Sequence, residues 1–263
     1  MKNKIFIIKK LSICILTKNE AHRIRPCLES AKFADEIIIV DSGSTDDTVS
    51  IGRNFGAKVH TYEDWQGFGI QRNRQLAHAA GDYILFLDAD EVIDLELRAA
   101  IEAVLAQDTF FIGEIRFTEV AFNQPLPWYR GDRKDRLYPR HLISNFEGVV
   151  HEVANLSDTK IPRKLLKGKI LHYSRFSVHT SLIKLTQYAM LGASKRALRE
   201  KKGGVVRGLF SATACFIKNY IFRLGFLGGG AGFLQCYFLT QECFFRYAAL
   251  HYDFDKLRED VGR

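Results

Sequence analysis

The chain has 263 residues, of which 47% are hydrophobic and 26% charged, and it carries a formal net charge of +8. This is the composition of a folded globular protein, long enough for one substantial core or for a core domain with an appendage, and it excludes a disordered linker. The five cysteines, Cys14, Cys27, Cys215, Cys236 and Cys243, are scattered and form no CxxC pair, so neither a disulfide framework nor a zinc site is supported.

The opening "MKNKIFIIKK" offers only four apolar residues before Lys9 and Lys10, too few for a signal-peptide core, so a cytoplasmic location is expected. Short apolar runs then alternate with helical patterns. "LSICIL" (11–16) predicts a strand, 20–31 a helix, "EIIIV" (36–40) a strand and 46–55 a helix. "AKVHTY" (57–62) predicts a strand, 70–80 a helix and "YILFL" (83–87) a strand. This alternation predicts an α/β fold, a mostly parallel sheet sandwiched by helices, in which ligands collect at the carboxyl ends of the strands. The polar runs "TKNE", "DSGSTDD" and "DADE" would then share one rim. A further amphipathic helix is expected over 96–106 and strand-like sequence over 110–122. Between roughly 123 and 160, Pro, Gly, Arg and aromatic residues follow no clean period, and loops folded over the site are expected.

Beyond Pro162 the character changes. "HTSLIKLTQYAMLGASKRALREKK" predicts a long basic helix, broken by Gly203 and Gly204 and followed by two aromatic-rich helical stretches. From Lys160 to Arg223 there are fifteen Lys or Arg against one acid, Glu200, so this segment carries +14 and the remainder, 8 − 14, carries −6. Such a segment seeks an anionic partner; nucleic acid, anionic lipid and a phosphorylated substrate all fit. The uncharged run Leu224 to Gln241 approaches the ~20 residues of a membrane span. It contains five glycines together with Gln235 and Gln241, which predicts a helix break instead. Basic amphipathic helices fit peripheral attachment to a membrane surface, and packing on the domain or on another subunit fits the same pattern.

Three elements of the first half carry candidate chemistry. Asp88 and Asp90, two residues apart at a strand end, can present both carboxylates to one point, where their repulsion calls for a counterion. A divalent cation such as Mg²⁺ or Mn²⁺ meets that need and completes its shell with substrate phosphates and water; the alternative is an Asp-rich cap on the following helix. Asp41 at the tip of "EIIIVD" can accept hydrogen bonds from a base or ribose, while Asp46 and Asp47 suit helix capping. "WQGFGIQRNRQLA" places Arg72 and Asn73 in the first turn of a helix, a natural anion or base contact or else a surface turn.

In this order, "ICILTKNE", "IIIVDSGSTDDT", "GFGIQRNRQLA" and "GDYILFLDADE" resemble the inverting glycosyltransferases of family 2, with the GT-A fold, over about the first ninety-five residues. The resemblance implies a catalytic domain over 1–175, with a nucleotide-sugar half to about residue 95 and an acceptor half beyond it. A helical extension, basic and aromatic-rich, would fill 176–263. It implies a UDP-sugar donor, with Thr17, Asn19 and Glu20 of the first loop and Ala89 among the donor-binding residues. Asp41 would lie near the uracil, Arg72 near the base or phosphates with Asn73 beside it, Asp88 near the ribose and Asp90 on the metal. Ser42 stands where many members carry a second Asp.

An inverting transfer needs a general base for the acceptor hydroxyl. "NFEGVVHEVAN" supplies Glu152 as that base, with His151 orienting substrate. A similar Val-His-Glu occurs in the subgroup the chain looks most like, the lipopolysaccharide-core glucosyltransferases. "ILHYSRFS" resembles that subgroup's next signature, and His172 within it is a candidate third metal ligand, with Asp88 and Asp90, or a phosphate contact. Arg130, Arg133, Lys134, Arg136 and Arg140 form a basic cluster able to hold the donor diphosphate or a phosphorylated core oligosaccharide, with Arg136 and Arg140 taken as the contacts.

The leading expectation is therefore a metal-dependent hexosyltransferase, glucose favoured, acting on an inner-core sugar of lipopolysaccharide, heptose favoured, at the inner face of the cytoplasmic membrane. Nucleic acid is not expected as a partner. A basic module that binds RNA or anionic lipid without catalysis is an alternative that leaves Asp41, Asp88 and Asp90 idle. A nucleotidyltransferase is another, but "LTKNEAHR" lacks the glycines of a triphosphate loop.

Overall fold

A computed structural model describes residues 8–148 and 152–259, apart from the side chains of 127–132, 258 and 259. The chain divides into two compact units, one of residues 1–117 and 132–172, the other of residues 118–131 and 173–263. The boundary near 172 lies close to the expected 175, but residues 118–131 join the second unit.

The first unit follows the alternation read from the sequence: β1 (Leu11–Thr17), α1 (Ile24–Ala31), β2 (Glu36–Asp41), α2 (Thr48–Asn54), β3 (Lys58–Thr61), α3 (Phe68–His78) and β4 (Tyr83–Asp88). β5 (Glu91–Ile93) and α4 (Leu95–Leu105) follow. β1 pairs in parallel with both β2 and β4, and β3 extends the sheet beyond β2. The apolar runs are strands buried on both faces. Ile13, Ile15, Ile39, Leu85 and Leu87 point into a layer with Ile24, Leu28, Leu97 and Ile101 of α1 and α4. Their neighbours Cys14, Ile38, Ile84 and Phe86 point to the opposite layer. Period-two alternation places successive side chains on opposite faces, so an uninterrupted apolar run marks a strand covered on both sides.

The segment expected as loops is largely strand. β6 (Ile112–Ala121), β7 (Gln124–Pro139), β8 (Ile143–Glu147), β9 (Val153–Leu156) and β10 (Arg163–Arg175) complete the β structure. The eight-stranded sheet has the order β3-β2-β1-β4-β7-β6-β10-β5, and β8 and β9 form a separate hairpin. β7 runs antiparallel to β4, with Tyr83 opposite Pro139 and Leu85 opposite Leu137. Prolines and charges on β7 hide its strand character, and Arg136, one of those charges, is buried.

The second unit contains α5 (Val178–Ala197), α6 (Val205–Phe216), a π-helical stretch Ile217–Phe222, a 3-10 turn Gly225–Gly228, α7 (Gly229–Tyr252) and α8 (Phe254–Glu259). A capping box of Ser177 and Thr180 starts α5. The helix break foreseen within 224–241 falls at its beginning, where Leu224 is left-handed, and Gly230 and Gly232 lie inside α7. Among the described residues no helix is long and apolar enough to cross a membrane.

Candidate active site

The carboxyl ends of β1, β2 and β4 form the rim where "TKNE", "DSGSTDD" and "DADE" meet. Asp41 is buried and saturated by its own surroundings. Its Oδ1 accepts from Thr17 Oγ1 (2.8 Å) and Ser44 Oγ (2.5 Å), and its Oδ2 from the backbone N–H groups of Gly43 (3.0 Å) and Ser44 (2.8 Å). Four bonds fill a carboxylate's ordinary acceptor capacity. Gly43, with φ of +85°, permits the turn that aims both amides inward. The same turn is tied to the first loop: Asn19 N–H donates to Ser44 Oγ (2.8 Å), Asn19 Oδ1 accepts from Thr45 N–H (2.8 Å), and Glu20 N–H donates to Thr48 Oγ1 (2.7 Å). Thr17, Asn19, Glu20 and Asp41 thus build one rigid loop pair, and Gln71 of α3 donates to Ser42 Oγ (2.8 Å).

Asp88 is the meeting point of two arginines. Arg72 Nη2 lies 2.7 Å from Asp88 Oδ1 and Arg136 Nη2 3.5 Å from Oδ2. Arg72 is 2% exposed, and its Nη1 also donates to Gln75 Oε1 (3.2 Å) and Leu87 O (3.4 Å). Its Nε lies 3.3 Å from Glu152 Oε1. Arg136 Nη2 lies 2.8 Å from Glu91 Oε1, and Glu91 Oε2 accepts the Asp88 backbone N–H (2.9 Å). Burial works to raise the Asp88 carboxyl, but the Arg72 and Arg136 guanidinium groups outweigh it and hold that carboxyl well below the usual range. Glu91, only 2% exposed, is pushed by burial up to about 7, with Arg136 opposing and Asp88 adding to the rise. Burial opposes the charge on Arg136, yet Glu91 and Asp88 keep it firmly protonated.

Asp90 sits on the other side of buried Ala89. Its Oδ2 lies 3.3 Å from Arg23 Nη1 and 3.7 Å from His172 Nε2. Arg23 is also bound by Glu20. The register of β10 on β5 sets His172 opposite Glu91. Guanidinium groups therefore offset the repulsion for which a metal was expected. Asp88, expected among the metal ligands, faces arginines, and no group of three or more His, Cys, Asp or Glu is placed to hold a metal among the described residues. The donor set that fits a divalent ion is Asp90 with His172, two ligands that leave positions for phosphate oxygens and water.

A cavity of 570 Å³ opens beside the two arginines that bind Asp88. It is lined by Arg72, Phe86, Arg133, Lys134, Arg136 and Glu152, with the acids Glu114 and Asp135 also in its wall. Asn73 braces one wall, donating to Phe146 O (3.0 Å) and accepting from Phe146 N–H (2.7 Å) on β8. Gly69 is needed beside it, because a Cβ there would come within 2.8 Å of Gly148 O.

The structure brings together most of the residues singled out in the sequence and separates others. Arg140 is not at the site. Its Nε donates to Ala79 O (2.6 Å) and its N–H to Asp82 O (2.9 Å), at the amino end of β4. Because β7 is antiparallel to β4, the cluster runs away from the rim, and among its described side chains Arg133, Lys134 and Arg136 reach the cavity. His151 lies outside the described residues, as does the side chain of Arg130. Sequence reasoning missed Glu91 and Arg23. Glu91 ends the quoted "DADE" and reads as helix-start acidity, and only its pairing with Arg136 across the sheet gives it another role.

Residues 12–151 match the model of glycosyl transferase family 2, more than half of the chain. An uncharacterized glycosyltransferase of Rickettsia felis is 31% identical, covering 97% of this chain and 94% of that protein. The lipopolysaccharide core biosynthesis glycosyltransferase LpsC of Rhizobium meliloti is 27% identical, covering 86% of each. The S. aureus TarS 1–349 structure in complex with UDP-GlcNAc is similar at 22% identity and a TM-score of 0.48, over 65% of this chain and 60% of that one. By its family match and by its curated relatives, the chain belongs to glycosyl transferase family 2 and is a glycosyltransferase.

Proposed function

We propose that this glycosyltransferase is an inverting, metal-dependent enzyme that moves a hexose, glucose favoured, from a UDP-sugar to a heptose of the lipopolysaccharide inner core. The observation that carries the reading is the cavity lined by Arg72, Arg136 and Glu152, whose two arginines both bind Asp88, with Asp90, two residues further along the chain, paired to His172. Arg136, Arg133 and Lys134 offer positive charge for a diphosphate, and guanidinium geometry suits its oxygens. Asp88 keeps 37% of its side chain open, enough to accept hydrogen bonds from a ribose. When bound at Asp90 and His172, Mg²⁺ or Mn²⁺ supplies charge neutralisation for the departing diphosphate.

Glu152, in the cavity lining and 3.3 Å from Arg72 Nε, serves as general base. It takes the proton of the acceptor hydroxyl while that oxygen bonds to the anomeric carbon and the bond from that carbon to the diphosphate breaks. Asp41, saturated within its turn, acts by shaping the loops, and reaches a uracil only if one of its four bonds is exchanged. The name of LpsC supports a core-oligosaccharide acceptor. Such an acceptor is lipid-anchored, which favours peripheral action at the inner face of the cytoplasmic membrane.

The test is transfer from UDP-glucose to a truncated core acceptor by wild type and Glu152→Gln. The variant should lose turnover by at least a hundredfold, in the range general-base removal produces, while still binding UDP. Wild-type turnover in Glu152→Gln would remove the base assignment.

A further inference from the structure

α6 is amphipathic the wrong way round for a helix that only packs inward. The residues it buries are Gly208 and Ala212, and Asn219 of the following π-helical stretch is buried too. These small or polar positions lie against α7: a Cβ on Gly208 would meet Phe244 O at 3.1 Å, and Cys215 Sγ reaches Leu239 O at 3.6 Å. The large apolar side chains point away. Val206, Leu209, Phe210, Ile217, Ile221 and Phe222 recur at helical spacing and are exposed, Phe210 by 75% and Phe222 by 77%. Exposed apolar surface on this scale marks an interaction site.

Charge identifies the occupant. Between Glu200 and Glu242 the sequence contains no acid, while Lys201 and Lys202 precede the apolar stripe, Arg207 and Lys218 fall within it and Arg223 follows it. At the start of α6 an open cavity of 1070 Å³ is lined by Lys201, Lys202 and Arg207 alongside Val206, Phe210 and Tyr252, with Glu200 its one acid. A second copy docked through this surface would bring like charges together. A bilayer with anionic headgroups accepts the aromatic side chains at its acyl boundary and pairs with the cations around them.

Building on the acceptor reading above, we propose that the outer face of α6 and the π-helical stretch after it, from Val206 to Phe222, is a docking element for the anionic phospholipid surface. It lies in the plane of the interface with Phe210 and Phe222 inserted, and it spans nothing.

The experiment is co-sedimentation of the full chain with vesicles of phosphatidylglycerol and phosphatidylethanolamine, and with vesicles of phosphatidylcholine alone. Wild type, Phe210→Asp/Phe222→Asp and Lys218→Glu are compared. The altered side chains are exposed, so far-UV circular dichroism and UDP binding should be unchanged, which separates failure of docking from failure of the transferase reading. Wild type should bind the anionic vesicles and release them at high salt. The double variant should lose at least about tenfold in affinity from the two buried rings, and Lys218→Glu at least about fivefold. Equal binding to both vesicle types, unchanged binding by the double variant, or no binding at all would overturn the proposal. So would a wild-type dimer that the double variant dissolves.

Discussion

Replacing Glu91 by Gln tests the electrostatics at the heart of the site. Glu91 is buried, and its carboxyl is raised from the ordinary 4.5 to about 7. In the unfolded chain this group loses its proton near 4.5, whereas the folded chain keeps it until near 7. Between these limits the folded state holds a proton that the unfolded state has lost, so the contribution of Glu91 to stability falls as pH rises and is level above 7. The fall is about 1.4 kcal/mol for each pH unit crossed, a decline of roughly 3 kcal/mol over the window. The glutamine side chain of the variant cannot ionise and has no such decline. The substitution carries its own offset, because Glu91 accepts from both Arg136 Nη2 and Asp88 N–H, and an amide offers one acceptor oxygen and one donor group. That offset does not depend on pH. Urea unfolding of both proteins at half-unit steps from about pH 4.5 to about pH 8 should show the stability of Glu91→Gln relative to wild type rising by roughly 3 kcal/mol. A difference that stays constant with pH would refute the argument, showing that Arg136 holds Glu91 ionised throughout.

Other substitutions probe separate links. Arg72→Met leaves Asp88 and Glu152 without their shared partner; UDP affinity should fall at least tenfold and stability by about 3 kcal/mol, the cost of breaking a buried pair. Asn73→Ala removes both bonds to the Phe146 backbone and should cost about 2 kcal/mol in a urea melt. Gly69→Ala forces a Cβ against Gly148 O and should lower stability by about 1–3 kcal/mol, measured in the same way. Arg140→Gln, at the amino end of β4, should leave UDP affinity within twofold of wild type by calorimetry, whereas Arg136→Gln should not.

The parts of this molecule legible in the sequence are those fixed by local pattern. The runs around Ile13, Ile38 and Leu85 are uninterrupted because their strands are covered on both faces, and the polar stretches after them had to lie at one rim. Asp88, Arg72 and Glu152 stand out by position, and Arg72 binds the other two. What was hidden depends on pairing between distant segments. β7 looked like loop because its prolines and arginines break periodicity, yet Arg136 is accommodated in the interior by Glu91, forty-five residues away in sequence. The direction of β7, which carries Arg140 away from Asp88, is likewise set by pairing with β4 and by nothing in its own composition. Asp41 looked like a ligand contact; only the three-dimensional turn reveals that its acceptor positions are filled by Thr17, Gly43 and Ser44. The inverted face of α6 was visible only as an aromatic, basic stretch, because burial decides which side of an amphipathic helix points inward.

The most direct test of the central claim is calorimetric titration of UDP into wild type and Asp90→Ala, each with and without Mn²⁺. Binding that Mn²⁺ strengthens in wild type, with the metal dependence lost in Asp90→Ala and the fold intact, is the predicted result. Absence of UDP binding by the folded wild-type protein under both conditions would contradict the assignment of this rim as a nucleotide-sugar site.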